Sequence, residues 1–78
     1  MSITIKYFGA IEDVTGIAEE SVLLEQVSSL EELKEHCLAK YSEIKNLSFR
    51  LAVNQVLTDY ANLKEGDEVA FLPPFAGG

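Results

Sequence analysis

The residues with the clearest chemical potential stand at the end of the sequence, which reads LPPFAGG. Two prolines fix their own φ and hold the chain extended, and the two glycines could pass through a channel too narrow for a Cβ. A terminal carboxylate becomes reactive once an ATP-dependent partner adenylates it, and it can then accept sulfur as a thiocarboxylate or be passed to an amine. The pattern therefore predicts that Gly78 carries the chemistry. The alternative is a frayed end, although such ends are usually polar.

The rest of the chain offers little other chemistry. It contains no nucleophile elbow, phosphate-binding loop or cluster of metal-ligating residues. Cys37 stands at core spacing in a predicted helix, where a single cysteine usually packs as a small hydrophobe; a reactive thiol or a sulfur-carrying thiol is the alternative. His36 is the only histidine and is predicted to be a solvated helix residue. The sequence thus predicts no metal, no tightly bound cofactor and no enzyme acting alone.

Length and charge narrow the class of protein. With 78 residues, of which 47% are hydrophobic, the chain suits one folded domain. Its formal net charge of -7 disfavours nucleic acid and suits a partner that presents basic residues, or serves solubility alone. No apolar run is long enough to cross a bilayer and no signal-peptide pattern opens the sequence. We therefore expect no membrane partner and a cytoplasmic location.

The hydrophobic patterns predict an α+β fold. Alternation in SITIKYFG and EESVLLE indicates two strands of a hairpin, separated by AIEDVTG with a short helical turn. SSLEELKEHCLAKY has helical spacing, and Ser28 and Ser29 each stand three residues before a glutamate, as in a capping box. SEIKNLSF is predicted to be irregular, RLAVN and DEVAFL are strands, and QVLTDYANLKEG is an edge segment. Residues 1–72 then form a mixed sheet with one main helix across one face. This is a β-grasp (ubiquitin-like) fold if the last strand is parallel to the first, and 73–78 form an extended tail.

The phase of the alternation predicts a second functional feature. If Tyr7 faces the helix, Phe8 faces away from it, and the same reasoning in the last strand turns Leu72 away as well. Leu57 in the edge segment could extend this pair. Exposed apolar clusters mark partner surfaces. We therefore expect a docking patch on the open face of the sheet, the alternative being a secondary core beneath the loops.

Three stretches, IKYFGAIEDVTG, LAVNQ and GDEVAFLPPFAGG, resemble the small subunits of molybdopterin synthase, which are ubiquitin-like sulfur carriers. The resemblance runs along the whole chain and is strongest in GDEVAFLPP joined to the terminal GG. A GG ending by itself is shared with thiamin-type sulfur carriers and with ubiquitin-like protein modifiers. Phe75 and Ala76 depart from the family pattern, which has a smaller residue and Ser or Thr at these positions.

The resemblance implies a role in molybdenum cofactor biosynthesis. An activating enzyme of the ubiquitin-activating type would adenylate Gly78 with ATP and sulfur would be installed there as a thiocarboxylate. The tail would then enter a pocket of the large subunit and donate sulfur to a pterin precursor, within a heterotetramer of two small and two large subunits. The implied partner-binding residues are Phe8, Leu57, Leu72, Pro73, Pro74, Phe75, Ala76 and Gly77.

Three other functions stay open at this point. The chain could carry sulfur for another pathway, such as thiamin or cysteine synthesis. It could be a protein modifier, with Gly78 joined to a target lysine through an isopeptide bond. It could also be an interaction module whose tail is incidental.

Overall fold

The computed structural model describes residues 1–74, which form five strands, two α-helices and a 3₁₀-helix. In chain order these are β1 (Ser2–Tyr7), α1 (Gly9–Thr15), β2 (Glu19–Leu23), α2 (Leu30–Lys40), the 3₁₀-helix (Ser42–Asn46), β3 (Arg50–Val53), β4 (Val56–Leu57) and β5 (Glu68–Leu72).

The strands form one mixed sheet in the order β2-β1-β5-β3-β4. The central pair, β1 and β5, is parallel, whereas β1–β2, β3–β5 and β3–β4 are antiparallel. Parallel neighbours need a crossover connection, and α2 lies in the long connection between the hairpin and the later strands. The predicted ubiquitin-like β-grasp fold is thereby confirmed.

The core lies between the sheet and the helices. Alternate residues of the two central strands, Ile5 and Tyr7 in β1 and Val69 and Phe71 in β5, are fully buried, as a half-buried sheet requires. The apolar stripe of α2 covers them. The buried members of that stripe are Leu30, Leu33 and Cys37.

Of the two predicted capping boxes, the one between Ser29 and Glu32 is formed, whereas Ser28 binds Glu32 and not the glutamate three residues after it. The Ser29 hydroxyl accepts the backbone N–H of Glu32 at 3.1 Å, and the Glu32 carboxylate accepts the backbone N–H of Ser28 at 2.9 Å. These bonds satisfy donors that the first helical turn leaves unpaired. The bond from the Ser28 backbone is the main reason that the pKa of Glu32 is lowered.

Two connections are more ordered than the sequence indicated. AIEDVTG belongs largely to the seven-residue helix α1 (Gly9–Thr15), whose C-cap Gly16 has a φ of +80° and donates its N–H to the Glu12 carbonyl at 2.9 Å. SEIKNLSF, predicted to be irregular, contains the 3₁₀-helix. Both segments place one isoleucine, Ile11 or Ile44, fully inside the core. Burial of these side chains stabilises turns that local propensity alone leaves marginal.

Candidate functional site

A groove runs across the face of the sheet opposite α2 and has a volume of about 580 Å³. It lies among side chains that alternate with the buried core residues of β1 and β5. Its lining consists of Lys6, Phe8, Arg50, Ala52, Gln55, Leu57, Glu68, Ala70, Leu72, Pro73 and Pro74.

The structure brings the three residues of the predicted docking patch into this one groove. Phe8 continues β1 in an extended conformation, and its N–H donates to the Phe71 carbonyl at 3.2 Å. This bond holds the start of α1 against the end of β5, beside Leu72. Leu57 lies across the groove on β4 and is 52% exposed. The proposed role of the three side chains in partner binding stays a prediction.

Small side chains make the groove possible. Ala52 of β3 pairs in register with Ala70 of β5, and each also pairs with a longer residue, Leu57 on one side and Lys6 on the other. A row across the sheet therefore has two alanines in the middle and taller side chains at its ends. This profile gives the open face a concave floor, which an apolar side chain of a partner could fill.

The groove carries charge at two places. Lys6 forms an ion pair with Glu68 at 3.4 Å, and both side chains are about one third exposed. Arg50 stands in β3 opposite Leu72 of β5 and is exposed. Because Leu72 is the last residue of β5, Arg50 marks the end of the groove from which the chain continues into Pro73.

The predicted tail begins against α1. β5 ends at Leu72, and Pro73 packs onto Gly9, where an added Cβ would lie 3.1 Å from the proline Cγ. Gly9 has a φ of +58°, a conformation that glycine adopts at little cost. The first tail residue is thus held at the rim of the groove. The remaining predicted site residues, Phe75, Ala76, Gly77 and Gly78, lie outside the described residues.

The hairpin that presents Leu57 is stabilised by a polar network that sequence reasoning missed. Asn54 and Gln55 form its two-residue turn, with φ of 50° and 72°, as the right-handed twist of hairpins favours. The Asn54 side-chain amide donates to Asp67 at 3.0 Å, and its oxygen accepts the Glu68 N–H at 3.0 Å. Asn between two short apolar strands was the available signal, since Asn tolerates positive φ.

Asp67 is buried, and each of its two carboxylate oxygens accepts one hydrogen bond. Its carboxylate accepts the Asn54 amide and the backbone N–H of Lys64, the latter at 2.9 Å. These two bonds, the Asn54 bond first, lower the pKa of Asp67. The carboxylate therefore stabilises the hairpin and the turn before β5, which is a structural role.

Cys37 has the environment of a packing residue. Its side chain is 1% exposed, and its Sγ lies 3.5 Å from the Tyr7 hydroxyl. Burial raises the pKa of the Cys37 thiol to about 11, and a thiol in that state is a poor nucleophile. The predicted packing role agrees with this environment, which is on the side of the sheet away from the groove.

Within residues 1–74, no group of three or more His, Cys, Asp and Glu side chains is arranged to hold a metal ion. The two helices of this part of the chain are also too short and too polar to cross a membrane.

The sheet order, the crossing helix and the groove at the end of β5 define a ubiquitin-like β-grasp protein with a largely apolar groove beside its C-terminal segment. The comparisons with known proteins agree. The chain belongs to the ThiS family, which it matches over residues 5–78.

Two relatives align with the chain from end to end. A molybdopterin synthase sulfur carrier subunit from Chlamydomonas reinhardtii is 34% identical over 83 residues, covering 100% of both chains. A protein of the same name from Mycobacterium tuberculosis is 30% identical over 82 residues, covering 100% of this chain and 99% of the relative.

Solved structures show the same fold. A protein from Pyrococcus furiosus assigned as subunit 1 of a molybdopterin converting factor superposes with a TM-score of 0.85 at 23% identity, over 96% of this chain and 99% of that one. The complex of subunits 1 and 2 of the molybdopterin-converting factor from Helicobacter pylori contains a chain with a TM-score of 0.74 at 27% identity, with 100% coverage of both. SAMP1 from Haloferax volcanii has a TM-score of 0.80 at 17% identity, also with 100% coverage of both.

Proposed function

We propose that this protein is the sulfur carrier subunit of a molybdopterin synthase and delivers sulfur from its C-terminal glycine. One observation carries the proposal: a chain that aligns end to end with proteins of that name has an apolar groove leading to Pro73, the first residue of its Pro-Pro-Phe-Ala-Gly-Gly segment. The groove offers a partner a binding surface, and the segment can extend from that surface toward the partner's active site. We further propose that residues 1–72 act as the docking domain and 73–78 as the delivery tail.

The chemistry begins at the Gly78 carboxylate. One of its oxygens bonds to the α-phosphorus of ATP in an activating enzyme, and pyrophosphate leaves. A sulfur nucleophile then displaces AMP from the acyl adenylate to give the thiocarboxylate. When the sulfur passes to a pterin precursor, water supplies the oxygen that restores the carboxylate. ATP is thus consumed by the activating enzyme, and the carrier itself needs no bound cofactor.

In this scheme the carrier's own residues bind the partner and position the tail. We expect Phe8, Leu57 and Leu72 to anchor the partner, because apolar side chains in a concave patch supply most of the binding energy of such contacts. Pro73 and Pro74 would direct the tail toward the partner's active site. The large synthase subunit would supply the catalytic groups, in a cytoplasmic assembly of two small and two large subunits. The Helicobacter pylori complex of subunits 1 and 2 supports a two-subunit arrangement.

A protein modifier is the second candidate. Its support is the likeness to SAMP1, a small archaeal modifier protein, but at 17% identity that likeness concerns the fold alone. The relatives at 30–34% identity favour sulfur carriage.

The test is to incubate the protein with the activating enzyme, ATP and a sulfur donor and to measure its intact mass. We expect one oxygen to be replaced by sulfur, and fragmentation to place the change at Gly78. Cys37→Ala should accept sulfur equally well, whereas a chain without Gly77 and Gly78 should accept none. Sulfur on Cys37, or conjugates of higher mass that survive denaturant and reductant, would contradict the proposal, and the latter would indicate a modifier.

A further inference from the structure

The two cations of the groove differ in what surrounds them. Lys6 stands in register with Ala70, in the middle of β5, and its ammonium pairs at 3.4 Å with Glu68 at the start of that strand. Arg50 lies at the opposite end, in register with Leu72. Among residues 1–74 the ion pairs are Lys6–Glu68 and Lys40–Glu20, and neither involves Arg50. The groove is therefore electrically neutral at one end and cationic at the end where the tail begins.

The positive charge at this end of the groove is opposite in sign to the net charge of the molecule. The protein has 13 acidic and 6 basic residues, yet the groove lining contains two of the basic residues and one acidic residue. Long-range attraction by the whole molecule favours a basic partner. A cation inside the docking surface would repel such a partner unless an acidic group meets it there.

We propose that Arg50 is a specificity residue of the groove and receives a carboxylate of the large subunit next to the apolar contact made by Leu72. The inference rests on the proposed function and adds the chemistry of the partner surface: an apolar anchor flanked by an Asp or Glu side chain. A guanidinium can bind a carboxylate through two parallel hydrogen bonds. The apolar walls of the groove would exclude water from that pair once the partner is seated.

Register explains why Arg50 should be the residue that selects the partner. It stands beside the last residue of β5, so a carboxylate bound there also fixes the position from which Pro73 leaves the sheet. Lys6 pairs in register with Ala70, two residues earlier in β5, and is already matched by Glu68. Polar pairs of this kind set orientation and select partners more than they add affinity.

The experiment compares Arg50→Glu with Lys45→Glu, which changes the net charge equally. Lys45 is exposed in the 3₁₀-helix and outside the groove. Binding of each folded variant to the large subunit is measured by surface plasmon resonance at several salt concentrations. We expect Arg50→Glu to weaken binding by about tenfold or more through faster dissociation, and Lys45→Glu to leave Kd unchanged or to speed association. Arg50→Gln should fall between the wild type and Arg50→Glu.

Equal effects of Arg50→Glu and Lys45→Glu would overturn the inference, because net charge alone would then explain both. The protein's own terminal carboxylate is excluded as the acceptor by repeating the comparison on a chain whose Gly78 ends as a carboxamide. We expect the Arg50→Glu defect to persist there; its disappearance would also overturn the inference. Failure of the wild type to bind the large subunit would instead contradict the proposed function.

Discussion

The side-chain amide of Asn54 donates a 3.0 Å hydrogen bond to the carboxylate of Asp67, joining the turn of the β3–β4 hairpin to the residue before β5. The same asparagine binds Glu68 through its side-chain oxygen and through its backbone N–H, at 3.0 Å and 2.8 Å. The hairpin is thereby fixed to the neighbouring strand at its tip. Because Leu57 stands on that hairpin, the network positions one wall of the groove.

Loss of the Asp67 carboxylate should destabilise the fold. In Asp67→Ala the Asn54 amide and the Lys64 N–H both lose an acceptor at a site that is only 5% exposed. We expect the free energy of unfolding to fall by about 1–3 kcal/mol, the usual cost of leaving buried polar groups unpaired. Urea denaturation followed by circular dichroism measures it. Asp59→Ala, at an exposed position, is the control, and equal stability of the two variants would contradict the assignment.

Glu20 should make stability depend on acid pH. Partial burial would raise its pKa, but hydrogen bonds from Lys40, Tyr7 and Tyr41 outweigh that effect, and the pKa is lowered from its ordinary value of 4.5. A carboxylate with a lowered folded-state pKa contributes stability above the unfolded value, and this contribution is lost as the pH falls through the folded value. Wild-type protein should therefore lose stability below about pH 4.5 more steeply than Glu20→Gln.

The matched control for this prediction is Glu25→Gln, at an exposed turn position. Melting temperatures are measured between pH 7 and pH 3. The pH dependence of Tm in this control should match that of the wild type, and in Glu20→Gln it should be weaker. The same acid slope in all three proteins would show that Glu20 does not contribute through its charge.

Gln55→Gly should stabilise the protein. Gln55 has a φ of 72°, a region that costs an L-residue free energy and glycine little. Asn-Gly is also the preferred pair for such a two-residue hairpin turn. We expect a gain of about 0.5–1 kcal/mol, or a rise of several degrees in Tm. Gly16→Ala, at a φ of +80° with no atom near its added Cβ, should instead lower the stability. A lower Tm for Gln55→Gly would contradict the prediction.

Leu57 and Leu23 provide a matched pair that tests whether the groove is a docking surface. Both are 52% exposed, but only Leu57 lines the groove, whereas Leu23 lies on the edge strand β2. Leu57→Asp should weaken binding to the large subunit by about tenfold or more, because it places a charge in an apolar contact. Leu23→Asp should change it little. Calorimetric titration measures both affinities. If the two variants bind the large subunit equally well, Leu57 is not part of the interface.

Much of the site could be predicted because it follows from local periodicity. Alternation along β1 and β5 was sufficient to place Phe8 and Leu72 on the open face, and both line the groove. The capping serine Ser29 was also readable, since its partner Glu32 stands three residues away. The positions of Arg50 and Asp67 could not be derived in this way, because each depends on a strand that is remote in sequence.

The sequence by itself indicated the strands β1, β2, β3 and β5, the helix α2 and an α+β fold, since spacing and turn residues act within a few positions of one another. Only the tertiary structure decided how far α1 extends, which residues share a row across the sheet and which of the two groove cations lacks an ion-pair partner among residues 1–74. These features depend on strand register and on burial against distant segments. For example, Arg50 stands beside Leu72 because Leu51 pairs with Phe71 and not with a residue adjacent to Phe71. A shift by one residue would turn each side chain of β3 to the opposite face, and no local pattern in β3 specifies its partner.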